Sequence, residues 1–292
     1  MAVTGAPIEL AAISLILALL GGLSPILSRI KENQQTLRRI TGVASGILLA
    51  SALLVVIPEG FELATGEHEE HAEEDEEEDE EEVGHEEEGL GNLLIGGAIL
   101  AGFLMMLILE GSGIGHAVHE EHHDHHEEHG HEHVHHRNSP WIMVLGLSLH
   151  SAADGLAIGS AAAGSSEAVT ALVALAVIIH KVPAAFSLGV FSMHEREDRN
   201  DSIRDVVLFS LATPVMILVS FYALEGLDEH LIALAMLFAA GTFLYVATVD
   251  TLPDIHNPET GREALKNVLI GVVVMVLVLY GADAAGLIEH GH

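Results

Sequence analysis

The chain contains no cysteine. Disulfides and thiolate metal sites are therefore excluded, and the redox compartment leaves no trace in the sequence. Basic residues are scarce, with 11 Lys and Arg against 43 Asp and Glu and a formal net charge of −32. No basic segment precedes the first apolar stretch, Ile8 to Ile26, so a cleaved signal peptide is not expected. That stretch reads as a retained first helix. No ATP-binding motif and no nucleophile paired with a base is present, so an enzyme has little support. Any transport would run down a gradient or be coupled to another ion.

What the chain does have is apolar length. Half of it is hydrophobic, and its mean hydropathy is +0.42. A soluble chain of this size would more commonly form two domains. Here long apolar blocks alternate with short polar links, and each block is about the 20 residues that cross a bilayer core. Eight such blocks lie near 7–28, 40–63, 90–113, 140–163, 168–192, 204–225, 229–252 and 265–288. The expectation is an all-α, polytopic membrane protein, read as a single transmembrane domain over 1–292.

The few basic residues set an orientation. Arg29, Lys31, Arg38 and Arg39 occupy the first link, and Arg137 the third. Arg196, Arg199 and Arg204 mark the fifth, and Arg262 and Lys266 the seventh. The second, fourth and sixth links and both termini carry none. Every Lys and Arg except Lys181 thus falls on one side, which the positive-inside rule makes the cytosol. A multi-pass cell-membrane protein with both termini outside is expected.

Two links are of low complexity, and neither has the apolar content to fold alone. The outer one, 64–89, is acidic and includes His68, His71 and His85. It reads as a solvated loop or as an antenna for cations. The inner one, 114–138, holds eleven histidines, among them His119, His122, His123, His125 and His126. Imidazole at that density points to a metal buffer or sensor. The string contains His-Glu-x-x-His at His119–His123 and His131–His135. In a tract so rich in His and Glu the match says almost nothing, because a zinc protease needs it on an ordered helix.

The sharper signal is inside the membrane. An ionisable residue at mid-bilayer costs about 2.5–3.5 kcal/mol on insertion scales. The fourth and fifth spans carry four: His150, Asp154, His180 and Lys181. His150 and Asp154 are spaced i, i+4 and share one helix face, so both can reach one ion. His180 supplies a third ligand if the two helices pack. Gly155, Ala157 and Gly159 permit a close neighbour, and Pro183 frees the carbonyl of residue 179. Interhelical hydrogen bonding and a proton relay are the competing uses of such residues.

An internal similarity accompanies this cluster. Gly46 to Glu59 and Gly241 to Asp254 both place a proline twelve residues after the glycine. These segments belong to the second and seventh spans, which cross the membrane in opposite senses. That is the pattern of an inverted repeat, an architecture with its binding site near the midplane. Glu59 outside and Asp254 inside then mark the two mouths of a path.

These motifs resemble the ZIP (Zrt/Irt-like) family of metal transporters, most of all the branch containing human ZIP member nine. The resemblance rests on His150 to Gly159 (HSAADGLAIG), His180 to Gly189 (HKVPAAFSLG) and the segment around Gly241 (AAGTFLYVATV). It spans nearly the whole chain. It implies a 3+2+3 inverted repeat and movement of Zn²⁺ or a similar ion into the cytosol. It also implies a primary site of His150, Asp154 and His180, with Ser151 as a weaker contributor. Members with two metals place carboxylates where this chain has Lys181 and Ala184. One transport site is therefore expected, with Lys181 in the place of the second ion and paired with Asp154.

No cofactor is expected. The carried ligand is Zn²⁺, with Fe²⁺, Mn²⁺, Co²⁺ and Cd²⁺ left open by His/Asp ligation. The expected partners are the metal ion and the lipid bilayer, not nucleic acid; a homodimer stays open. Two rivals remain: a metal sensor or receptor of the same fold without flux, and a metal exporter. An exporter of the cation-diffusion class would normally have six helices and a cytosolic C-terminal domain.

Overall fold

The computed structural model describes residues 6–28, 34–65, 90–112, 140–196, 198–249, 255–256, 258 and 260–286. Among these the chain is all helix. The elements are α1 (Ile8–Ser28), α2 (Gln34–Ser51), a π-helical turn (Ala52–Val56) and α3 (Ile57–Thr65). There follow α4 (Asn92–Gly111), α5 (Pro140–Gly164), α6 (Glu167–Glu195), α7 (Arg199–Leu224), α8 (Glu229–Val249) and α9 (Gly261–Ala284). α2, the π turn and α3 form one continuous rod, so eight spans are long and apolar enough to cross a membrane. Backbone groups in hydrocarbon must bond within their own segment, which is why apolar runs of this length become helices.

The spans overlap the sequence-based ones and differ at their ends. The second begins at Gln34, and the eighth at Gly261, so that Arg262 and Lys266 fall in its first turns. Hydropathy registers only the part in hydrocarbon, whereas the helix continues through the charged interface. The last turn of α3 runs to Thr65, two residues into what the sequence assigns to the acidic loop.

Side-chain caps fix the short links. Ser166 Oγ accepts from Val169 N at the start of α6. Asp198 Oδ1 accepts from Asn200 N at the start of α7. Only Ser165 and Ser166 separate α5 from α6, so these two form an antiparallel hairpin. His150 lies fifteen residues before Ser165 and His180 fourteen after Ser166. At 1.5 Å per residue both sit roughly 22 Å from the link, at matching depth.

The packing separates two groups. α1, α5, α6 and α7 pack on one another, and α2 with α3 packs with α4, α8 and α9. The groups meet where α5 touches α8 and α6 touches α2.

Close approaches at glycine reveal the repeat residue by residue. Gly102 on α4 lies against the backbone of Phe238 and Thr242 on α8, and Gly271 on α9 against Val43 and Ile47 on α2. Phe238 and Thr242 each stand 195 positions after Val43 and Ile47, and Gly271 stands 169 after Gly102. Gly159 on α5 lies against Ile217 and Ser220 on α7, and Gly189 on α6 against Gly22 and Pro25 on α1. Again Ile217 and Ser220 stand 195 after Gly22 and Pro25, and Gly189 stands 30 after Gly159. The first three spans thus correspond to the last three, and the fourth to the fifth. Corresponding spans cross in opposite senses, which is the 3+2+3 inverted arrangement. A methyl group at any of these glycines would overlap the facing backbone, so each crossing requires the bare residue.

Candidate metal centre

The i, i+4 spacing on α5 brings His150 and Asp154 onto one face, with His150 Nε2 3.8 Å from Asp154 Oδ1. α6 presents His180 from the other side, its Nε2 3.3 Å from the same Oδ1. One ligand atom from each of the three lies within 4.8 Å of the others. The imidazole centroids are 5.8 Å apart. Asp154 is fully buried and His180 is 7% exposed.

Neighbouring groups orient these side chains. His180 Nδ1 is 3.0 Å from the carbonyl of Ala176, one turn back on its own helix. A carbonyl only accepts, so Nδ1 carries the proton and the Nε2 lone pair faces the cluster. Phe243 on α8 packs edge-on against the same ring, with centroids 6.3 Å apart. His180 Nε2, Asp154 Oδ1 and His150 Nδ1 are buried without a hydrogen-bond partner. Buried polar atoms are almost always satisfied. The open lone pairs of His180 Nε2 and Asp154 Oδ1, 3.3 Å apart, are what a dication needs.

Lys181 is 1% exposed and occupies the far side of Asp154. Its Nζ donates to Asp154 Oδ2 at 3.2 Å and also to Ser151 Oγ. It stands 4.5 Å from the centre of the Phe209 ring, a cation–π contact. Ser151 Oγ has two further neighbours, the Phe209 carbonyl at 3.1 Å and Thr213 Oγ1 at 2.9 Å. Thr213 in turn donates to the Ser151 carbonyl at 2.7 Å. The Ser151 hydroxyl is therefore engaged with α7 and Lys181. Under the repeat, His150 corresponds to His180, Ser151 to Lys181 and Asp154 to Ala184, each 30 positions on.

Glu59 is in the first turn of α3 and partly buried. Asp254 lies outside the described residues, as do His119, His122, His123, His125 and His126 and both His-Glu-x-x-His strings. Thr213, Phe209 and Phe243 border the cluster; nothing in their local sequence marks Thr213 and Phe209, while Phe243 lies in the AAGTFLYVATV segment. The close neighbour at Gly155 and Gly159 is α7.

Fold and cluster together define a polytopic membrane protein whose fourth and fifth spans bring two imidazoles and a carboxylate close together. The family model for the ZIP zinc transporter matches residues 5–113 and 112–279. The chain belongs to the ZIP zinc transporter family. It is similar to a zinc transporter ZIP9 of Micropogonias undulatus, 34% identical over 274 residues, covering 84% of this chain and 86% of the relative. Similarity to zinc transporter ZIP9-A of Xenopus laevis is 34% over 252 residues, covering 78% and 80%. Zinc transporter ZIP2 of Homo sapiens is 28% identical over 210 residues, covering 66% and 67%.

Proposed function

We propose that the protein carries one divalent metal ion at a time, zinc foremost, across the membrane and toward the side where its basic residues gather. The observation behind this is the convergence of His150, Asp154 and His180 within 4.8 Å, from two helices, with ligand lone pairs left unbonded. Two imidazoles and a carboxylate suit Zn²⁺. Three protein ligands leave a fourth position for water, so the ion can exchange rather than be locked as in a four-ligand structural site.

The acidic outer loop concentrates cations, and Glu59 receives the ion at the outer mouth. The ion sheds water onto His150, Asp154 and His180. A rocking of one helix group against the other closes the outer path and opens the inner one. The ion leaves past Asp254 to the His-rich loop. The zinc transporters among the relatives support this reading.

Lys181 takes the place of a second ion. Its ammonium holds Asp154 Oδ2 and turns Oδ1 toward the two histidines, so the site accepts a single dication.

The test is reconstitution into liposomes holding a zinc-sensitive dye. The intact chain is expected to fill the vesicles with zinc, and Asp154→Ala and His180→Ala to fall to the protein-free rate. Metal binding at this site with no flux would favour a sensor of the same fold instead.

A further inference from the structure

α9 packs chiefly on α2, which leaves much of its circumference outward. One outward face carries Arg262, Leu265, Lys266, Leu269, Ile270 and Val273, spaced i, i+3, i+4, i+7, i+8 and i+11. That spacing is a single helical stripe. Its residues line an open groove of about 450 Å³. Leu269 and Val273 are more than half exposed.

The stripe has two chemistries. Its first turn is cationic, and everything beyond is aliphatic. The one acidic residue within that turn, Glu263, is directed to α2, where Arg39 meets its Oε1 at 2.6 Å. It does not neutralise its neighbours. Neither Arg262 nor Lys266 has an ion-pair partner among the described residues. Two cations without an ion-pair partner among the described residues thus stand one turn apart at the end of a span, directly above an apolar track that continues into the membrane.

We propose that this face is a binding site for one anionic phospholipid. The phosphate lies between the Arg262 guanidinium and the Lys266 ammonium, and an acyl chain follows Leu265, Leu269, Ile270 and Val273. Charge complementarity selects this occupant. A zwitterionic lipid would leave the two cations short of a counter-charge, whereas an anionic headgroup supplies it at the depth where they sit. A second copy of the chain would have to bring its own acidic group to the same level.

The absence of cysteine makes the test direct. Leu269→Cys offers a single thiol for an environment-sensitive fluorophore, and Leu100→Cys on the exposed face of α4 serves as reference. Each labelled protein is placed in nanodiscs containing brominated phosphatidylglycerol or brominated phosphatidylcholine at equal mole fraction. At Leu269→Cys, quenching by the anionic lipid is expected to exceed that by the zwitterionic one by about twofold or more. The two lipids should quench equally at Leu100→Cys. Adding Arg262→Gln and Lys266→Gln should erase the difference at Leu269→Cys without altering the reference. Lys266→Gln alone, expected to reduce it, keeps the test open if the double variant fails to assemble. Equal quenching by both lipids at Leu269→Cys would mean unselective boundary lipid and would overturn the proposal. Quenching by neither would mean that protein covers the face, and would overturn it equally.

Discussion

Lys181 Nζ donates to Asp154 Oδ2 at 3.2 Å, on the side of the carboxylate away from His180. One acid is thus shared between a fixed internal cation and a ligand position. A dication at Oδ1 would stand within a few ångströms of that ammonium. Even at an effective dielectric near 20 the repulsion on any second ion is several kcal/mol. With residues 114–138 deleted to remove the His-rich loop, the protein should bind one zinc per chain at mid-membrane. Equilibrium dialysis with metal analysis measures this. Two ions per unmodified site would sink the idea that Lys181 replaces one of them.

The same pair gives the site a charge balance. If Asp154 is ionised, Lys181 protonated and both imidazoles neutral, the proposed site has no net charge of its own. Loaded, it carries the full charge of the ion. Crossing with a net charge of two makes the loaded step sensitive to potential, at about 4.6 kcal/mol per 100 mV across the whole field. Zinc uptake into proteoliposomes should accelerate when potassium and valinomycin set the interior negative, and slow when they set it positive. Uptake that ignores the imposed potential would mean that another ion moves in compensation.

Imidazole binds metal only when neutral. For free histidine the change comes near pH 6.5. Protons would compete with zinc for the imidazole lone pairs of the proposed site, so the sign is fixed: affinity falls as pH drops. Uptake at constant free zinc should decline as the pH is lowered from about 7.5 toward about 4.5, mainly through a rise in KM. Asp154→His should steepen the decline, because it adds a third protonatable ligand. A flat profile over this range counts against imidazole ligation.

Much of this is visible in the sequence, and the limits are physical. Eight spans follow from hydropathy, because lipid demands long apolar helices. His150 and Asp154 follow from a spacing that one helix enforces by itself. The Gly46 and Gly241 segments expose one pair of the repeat, and the packing extends the same offset of 195 positions to Gly22 and Ile217. Tertiary partners are another matter. Nothing local says that Ser151 turns toward Phe209 and Thr213, or that α7 is what Gly155 and Gly159 admit. The π turn at Ala52–Val56 is equally silent, since its residues are ordinary helix formers in an apolar run. Pairing of Lys181 with Asp154 is legible because an unpaired ammonium at that depth is too costly to leave alone.

A second buried charge pair ties α5, α6 and α7 together at their basic ends. Asp205 on α7 is fully buried. Its Oδ2 accepts from Arg196 Nε at 2.8 Å and from Ser192 Oγ at 2.8 Å, and its Oδ1 from Arg196 Nη2 at 3.1 Å. Arg196 also lies 5.3 Å from the ring centre of Trp141 at the start of α5, with Arg204 4.6 Å from the same ring. Asp205→Ala would leave the largely buried Arg196 guanidinium without its counter-charge, a change that costs at most about 3–5 kcal/mol. A marked fall in the thermal midpoint of the detergent-solubilised protein is expected. The pair stands some sixteen residues along α6 from His180, about 24 Å at helical rise, so zinc affinity of the surviving folded fraction should stay unchanged. Arg196→Leu with Asp205→Leu removes both charges at once and should recover most of the lost stability. If the single and double variants melt together, the guanidinium was never dependent on Asp205, and the clamp contributes nothing to holding α5, α6 and α7 in register.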